Sequence, residues 1–341
     1  MFLKHQQPLI SILMPCKNAE TYLSDCLQSI TSQSISNWEL IVVDDNSNDR
    51  SYKILEKWSQ KIKSIICIRN TGSGIIDALR LAYSHSKGDL ITRMDADDIM
   101  TTDKLKTMSE QLINAGQGYV ATGKVEYFRN DKPLGNGYIK YAEWLNRLSS
   151  AGTNYTDIYK ECVIPSPCWM IYREDFDKLK GFESEKYPED YDLVFRMYMH
   201  NIKVIPCKDI ILHRWRDHSE RASRNDNNYT DNRFLELKVN YFIEIDKKDE
   251  DNLVLWGAGT KAKNIAKRLI NKNIEFEWIT NNKHKIGHNI YGKTIYDTAT
   301  LKVKANTKII VAVANPKEQI DIKSTVDSIV LSDRQILYWF C

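Results

Sequence analysis

Carboxylates gather at three places in this chain where chemistry could use them. Asp95-Ala96-Asp97-Asp98 sets three acids within four residues, directly after the apolar run Leu90–Met94. Such crowding is electrostatically unfavourable unless a cation neutralises it. Hard divalent ions such as Mg2+ or Mn2+ prefer oxygen ligands and often take one or two carboxylates together with substrate phosphates. The competing reading is an Asp-rich turn ahead of a helix over Thr102–Leu112, with Asp98 or Thr101 as its N-cap. The second cluster, Asp44-Asp45-Asn46-Ser47-Asn48-Asp49, follows the apolar Leu40–Val43. A carboxylate fixed at a strand end can accept hydrogen bonds from a nucleobase imide or a ribose hydroxyl. Ser47 or Asn48 can equally cap a helix that starts near Asp49, which leaves Asp44 free. The third, Glu189-Asp190-Tyr191-Asp192, opens a helix after Tyr187-Pro188. Acids there complement the helix macrodipole, or one of them serves as general base toward a hydroxyl.

Short β-rich runs alternate with amphipathic segments through the first hundred residues and position these acids. Leu9–Met14, Leu40–Val43, Ser64–Ile68 and Asp89–Met94 read as strands; Tyr22–Ser32, Ser51–Lys61 and Ile75–Ser86 carry apolar residues at helical spacing. This alternation implies an α/β fold, a mostly parallel sheet sandwiched by helices. Ligands of such sheets lie beyond the carboxyl ends of the strands, where Pro15–Asn18, Asp44–Asp49 and Asp95–Asp98 fall. Farther on the alternation loosens. A strand is expected over Tyr119–Phe128, with helices near Tyr141–Ser149, Tyr191–His200 and Thr230–Ile245. Trp144, Tyr155 and Trp169 are candidates for an acceptor cleft or, more simply, for the core. A charged stretch then precedes a restart of the pattern: strand Leu253–Trp256, helix Thr260–Asn271, strand Glu275–Ile279 and strand Lys308–Val313. The expected domains are residues 1–246, a linker at 247–252, and a smaller Rossmann-like α/β domain over 253–341.

The bulk numbers exclude more than they specify. With 341 residues, 27% charged and 42% hydrophobic, the chain has an ordinary globular composition. A net charge of +3 gives no footprint for nucleic acid. Seven cysteines without a CxxC pair suit reduced thiols rather than a disulfide framework or zinc site. No apolar run approaches the ~18–20 residues that span a bilayer. The expected location is cytoplasmic, with peripheral contact at the inner membrane face left open.

Four segments in order, ISILMPCKNAETYL, VVDDNSND, RMDADD and PEDYDLVFR, resemble the family 2 glycosyltransferases of the GT-A fold. The resemblance covers roughly residues 8–225, and HRWRDHSERAS followed by LVLWGAGTKA is similar to a bacterial subgroup with a small appended α/β domain. It implies a metal-dependent enzyme that moves a sugar from a nucleotide-diphosphate donor, most simply a UDP-sugar, to an acceptor hydroxyl. The implied acceptor is a saccharide or lipid-linked saccharide of bacterial surface polysaccharide synthesis. By resemblance Pro15, Asn18, Asp44, Asp45, Arg93 and Asp95 bind the donor, and Asp97 and His218 hold a divalent cation, Mn2+ or Mg2+. Asp190 is then the catalytic base and Glu189 contacts the acceptor. A single displacement with Asp190 as base inverts the anomeric carbon. The sequence departs from the family at Cys16-Lys17, in place of an aromatic, at the extra glycine of Asn70–Gly74, and at Arg80, where relatives often carry asparagine.

Gly257-Ala258-Gly259-Thr260-Lys261-Ala262 matches a dinucleotide fingerprint. The acid expected about twenty residues on is replaced by Thr280-Asn281-Asn282, so NAD is not expected. A phosphate-bearing ligand or an assembly role, including oligomerisation through this domain, remain the readings. Two other functions compete for the whole chain. A nucleotidyltransferase would need a Gly-rich basic loop after the first strand, for which Pro15-Cys16-Lys17-Asn18 is a poor substitute. A non-catalytic sugar-nucleotide scaffold has no chemical reason to keep Asp95, Asp97 and Asp190.

Overall fold

Short apolar runs become the strands of three sheets. The computed structural model describes residues 7–129, 131–219, 221, 234–329 and 336–341. The chain divides into two compact units, one of Met1–Tyr155 with Val163–Arg221, the other of Thr156–Cys162 with Ala222–Cys341.

The first unit begins as the alternation requires: β1 (Ile10–Cys16), α1 (Leu23–Thr31), β2 (Trp38–Asp44), α2 (Ser51–Lys61), β3 (Ile65–Arg69), α3 (Ile75–His85) and β4 (Leu90–Arg93). Ile12, Met14, Leu40 and Val42 pack with Leu23 and Leu27 of α1. The intervening Leu13, Ile41 and Val43 are equally buried, and α3 lies against β1 and β2. Burial on both faces is why these strands read as continuous apolar runs.

Then follow β5 (Ile99–Met100), α4 (Lys104–Ala115), β6 (Tyr119–Thr122), β7 (Lys124–Phe128), α5 (Asn136–Ala151), β8 (Trp169–Tyr172), α6 (Arg173–Lys178), α7 (Glu189–Met199), β9 (Lys203–Ile205) and β10 (Ile211–Arg216). The main sheet runs β3-β2-β1-β4-β8-β6-β9, and a small one runs β5-β10-β7. β8 is antiparallel to both neighbours, while the other pairings of the main sheet are parallel. The single strand expected over Tyr119–Phe128 is thus two strands in two sheets. They part at Gly123, where a Cβ would meet Leu212 Cδ1 at 2.4 Å. Only glycine lets β10 cross that close. Trp169 is buried, against Phe176 at 5.9 Å between ring centroids, so it belongs to the core. Trp144 packs half-buried against the cluster that holds Leu145, Cys168 and Met170.

The second unit contains α8 (Phe234–Tyr241), β11 (Asn252–Trp256), α9 (Thr260–Asn271), β12 (Glu277–Thr280), β13 (Asn289–Ile290), β14 (Lys293–Asp297), β15 (Thr307–Val311), α10 (Pro316–Ile329) and β16 (Leu337–Trp339). Its sheet order is β13-β14-β12-β11-β15-β16. β11 pairs in parallel with β12 and β15. The unit takes in more chain than a break at Lys247 would give it. Tyr159 stacks on Phe340 at 5.1 Å, and Lys238 Nζ donates to the Lys160 carbonyl. The helix expected over Thr230–Ile245 begins outside the described residues. No helix among the described residues is long and apolar enough to cross a membrane.

Candidate active site

The loops after β1 and β2 are sewn together by side chains of their own sequence. Asn18 sits at φ 49°, a left-handed conformation that asparagine tolerates. Its Oδ1 accepts the Asn48 N–H at 2.9 Å, and its own N–H donates to Ser47 Oγ at 3.0 Å. Ser47 and Asn48 therefore serve the loop pair and do not cap α2. Asp49, just ahead of the cap position Arg50, accepts the Ser51 N–H at 2.8 Å. Pro15, at the end of β1, is partly exposed beside this pair.

Asp44 and Asp45 have opposite circumstances. Asp45 accepts Lys17 Nζ at 3.1 Å, Asn70 Nδ2 at 2.7 Å and the Gly74 N–H at 3.0 Å, so it clamps three loops. Burial opposes its charge, but these donors together lower its pKa. Asp44 is only 3% exposed; its Oδ2 accepts the Ser47 N–H at 3.3 Å, and its Oδ1 has no hydrogen-bond partner among the described residues. A buried carboxylate oxygen left unpaired is unfavourable unless a ligand supplies the donor.

Arg93 joins the acids of β4 to those of α7. Its guanidinium is 4% exposed. It contacts Asp95 Oδ1 through Nη2 at 2.9 Å and Nε at 3.0 Å, and donates from Nη1 to Glu189 Oε1 at 2.7 Å. Clusters 94 residues apart in sequence thereby share one cation. Asp190, the next residue of α7, accepts the Tyr191 N–H at 2.7 Å. Burial, and next the charge of Glu189, raise its carboxyl to about 7, against the pull of Arg93. A base poised there can take a proton from a hydroxyl at neutral pH. Arg80 steadies the approach to α7, donating to the carbonyls of Phe182 and Glu183 at 2.7 Å each. Its departure from the family's asparagine is thus spent on the chain before Glu189.

Asp97 pairs with His218, Oδ2 to Nε2 at 2.8 Å. Burial opposes the Asp97 charge, but the His218 hydrogen bond and the charge of Arg221 outweigh it and lower the pKa. His218 lies 4.5 Å from the Tyr22 ring, and its Nδ1 is buried without a hydrogen-bond partner among the described residues. Among the described residues no group of three or more His, Cys, Asp or Glu side chains could hold a metal ion by itself. Asp97 Oδ2 and His218 Nε2, 2.8 Å apart, instead offer one oxygen and one nitrogen donor to an ion that draws its other ligands from phosphate and water.

Asp98 is not a helix cap. It is buried, accepting His213 Nε2 at 2.9 Å and the Arg216 N–H at 2.9 Å. His213 Nδ1 in turn faces Lys104 Nζ at 3.1 Å, and Lys104 also donates to the Pro167 carbonyl. An ammonium only donates, so Nδ1 accepts and Nε2 carries the proton. Burial, then the Lys104 and Arg221 charges, hold His213 well below its ordinary pKa and keep it neutral. Arg216 donates from Nε to the Asp97 carbonyl at 2.9 Å and from Nη2 to Asp25 at 3.1 Å. Lys104, His213, Arg216 and Arg221 are absent from the sequence expectation. His213 shares a strand with Trp215, which was a usable signal, but the register shift in β10 blurs the alternation. Lys104 lies in an ordinary-looking helix start and gives no sign that its side chain is wholly buried.

The family model for glycosyl transferase family 2 matches residues 11–180. The Escherichia coli UDP-Glc:alpha-D-GlcNAc-diphosphoundecaprenol beta-1,3-glucosyltransferase WfgD is 31% identical over 172 residues, 49% of this chain and 67% of WfgD. Glycosyltransferase GlyA of Streptococcus pneumoniae is 25% identical over 201 residues, 58% of this chain but only 29% of GlyA. An uncharacterized glycosyltransferase of Haemophilus influenzae, 40% identical over 100 residues, is likewise matched over only 40% of its length. Among solved structures, Staphylococcus aureus TarS 1–349 in complex with UDP-GlcNAc superposes with a TM-score of 0.52 at 17% identity, over 76% of this chain and 71% of that one. The mannosyltransferase PcManGT from Pyrobaculum calidifontis, in complex with GDP-Man and Mn2+, gives 0.51 at 17% identity, over 78% and 70%. At that identity the likeness is one of fold, an α/β glycosyltransferase fold of the GT-A type. The chain belongs to glycosyl transferase family 2.

Proposed function

We propose that the first unit transfers a glycosyl group from a nucleoside-diphosphate sugar to an acceptor hydroxyl, with inversion, in the presence of a divalent cation. One juxtaposition carries the reading: Arg93 bonded at once to Asp95 and to Glu189, which sets the donor-side acids and Asp190 around one guanidinium. The unpaired Asp44 Oδ1 adds to it, as an acceptor suited to a nucleobase or ribose donor.

In this reading Asp44 receives the nucleoside, with Pro15 and Asn18 shaping the loops beside it, and Asp45 holds those loops. Asp97 and His218 hold the cation, Mn2+ or Mg2+. When bound, it would offset the negative charge that develops on the diphosphate leaving group. Asp95, kept in place by Arg93, lies toward the donor sugar. Glu189 fixes the guanidinium that separates the two sets of acids and orients the start of α7 toward the acceptor. Asp190 takes the acceptor proton as the hydroxyl oxygen attacks the anomeric carbon from the face opposite the leaving group. That single displacement inverts the centre.

A UDP-sugar is the donor we favour, since UDP-GlcNAc is named with TarS and UDP-Glc in the name of WfgD. The acceptor we favour is a saccharide or lipid-linked saccharide, as in the WfgD name, reached by peripheral contact with a membrane face. The test is proton NMR of UDP-sugars incubated with the protein, Mn2+ and a panel of saccharide acceptors. Expected is a β-linked product from an α-linked donor, with no turnover by Asp97→Asn. Retention of configuration, or turnover that persists in Asp97→Asn, would overturn the reading.

A further inference from the structure

The second unit carries a cavity of about 430 Å³ that the transfer reaction does not use. It opens beyond the carboxyl ends of β11, β12 and β15, with the turn Gly257–Thr260 as its floor. The strand order reverses at β11, whose neighbours are β12 on one side and β15 on the other. Crevices at such a reversal are where parallel sheets take ligands. The volume lies in the lower part of the range of small-molecule sites, ~300–1,000 Å³.

The cavity's walls say what would enter it. Lys261 and Lys285 both line it, Glu318 is the one acidic side chain among the lining residues, and the last residue, Cys341, also lines it. The floor is main chain: a Cβ on Gly257, at φ 130°, would stand 2.8 Å from the Ala312 carbonyl oxygen. α9 starts from this floor, and its cap residue Gly259 has no side chain to accept the first-turn N–H groups. Lys285, Lys261, whose Nζ also donates to the Phe340 carbonyl at 3.2 Å, and the main chain at the helix start make a site for phosphate oxygens.

A dinucleotide suits the cavity poorly. At the end of β12 the side-chain acceptors are already taken: Asn281 Oδ1 receives Trp256 Nε1 at 2.9 Å, and Asn282 Oδ1 receives the His284 N–H at 3.0 Å. A ribose diol would find no carboxylate there, and only amide oxygens that already hold one donor each. We infer that this cavity is a binding site for a small phosphorylated metabolite, its phosphate seated on the Gly257–Lys261 turn between Lys261 and Lys285.

Calorimetric titration of the full chain tests this, with inorganic phosphate, pyrophosphate, a sugar 1-phosphate and NADH as probes and EDTA present. Expected is binding of at least one of the three phosphate probes, tighter than that of NADH, and unchanged in Asp44→Ala and Asp97→Asn. Thr260→Asp should weaken it by about tenfold or more. Thr260 is exposed, and an acid at a helix start stabilises the helix, so the melting temperature should hold or rise while binding falls. Lys261→Ala with Lys285→Ala should weaken it similarly. Absence of binding by every phosphate probe, preference for NADH, indifference to Thr260→Asp and the lysine pair, or loss in Asp97→Asn would each overturn the inference.

Discussion

Replacing Arg93 by methionine removes the one cation that Asp95 and Glu189 share, while keeping much of the side chain's volume. Arg93 and Glu189 are 4% and 6% exposed, and their contact is 2.7 Å. Breaking a buried pair by deleting one partner costs about 3–5 kcal/mol, because a buried charge is left uncompensated. Asp190, whose carboxyl burial already raises to about 7 against the pull of Arg93, would rise further above its unfolded value. The folded state then binds more protons, and stability falls as pH rises from about 4 upward. Urea unfolding of wild type and Arg93→Met at pH 5.5 and pH 8 reads this directly. The expected loss at pH 8 lies in the stated range and shrinks at pH 5.5. The double variant Arg93→Met with Glu189→Met should recover most of it, since both charges leave together. A loss of the same size at both pH values, or a double variant no better than the single, would refute the idea that this guanidinium carries the two acid clusters.

Other outcomes follow from the same geometry. Asp190 has to be ionised to act as base, so kcat/KM should fall toward acid with a midpoint near 7. In Asp190→Asn turnover should drop by about 10²–10⁴-fold while donor binding survives; initial rates across pH check both. Asp44→Ala removes a buried carboxylate oxygen that has no partner. Nucleotide affinity should fall in calorimetry while the melting temperature stays level or rises. Gly123→Ala drives a Cβ into Leu212. It should lower stability by about 1–3 kcal/mol in urea unfolding, and Leu212→Ala in the same chain should return part of that.

The β1–β4 half of the first unit was readable because each strand is an apolar run buried on both faces and each helix keeps its spacing. Asp95–Asp98 stood out as a candidate because three acids in four residues crowd like charges. What escaped depends on contacts between distant parts of the chain. Trp169–Tyr172 is four residues long, and nothing local says that it enters the sheet antiparallel between β4 and β6. Gly123 is one glycine among 14, and its meaning lies in Leu212, 89 residues later. Asp45 and Asp44 are neighbours with the same side chain, yet one spends its oxygens on Lys17, Asn70 and Gly74 while the other keeps one unpaired. Asp98 looked like a cap until His213 and Arg216 were seen to reach it.

Crystals grown with UDP and Mn2+, with anomalous data collected at the manganese edge, put the central claim to its most direct test. One anomalous peak should lie against Asp97 and His218, next to the diphosphate, with the uridine within hydrogen-bond reach of Asp44 and the Arg93 bridge intact between Asp95 and Glu189. Manganese bound away from Asp97, or a uridine seated elsewhere than at Asp44, would contradict the account.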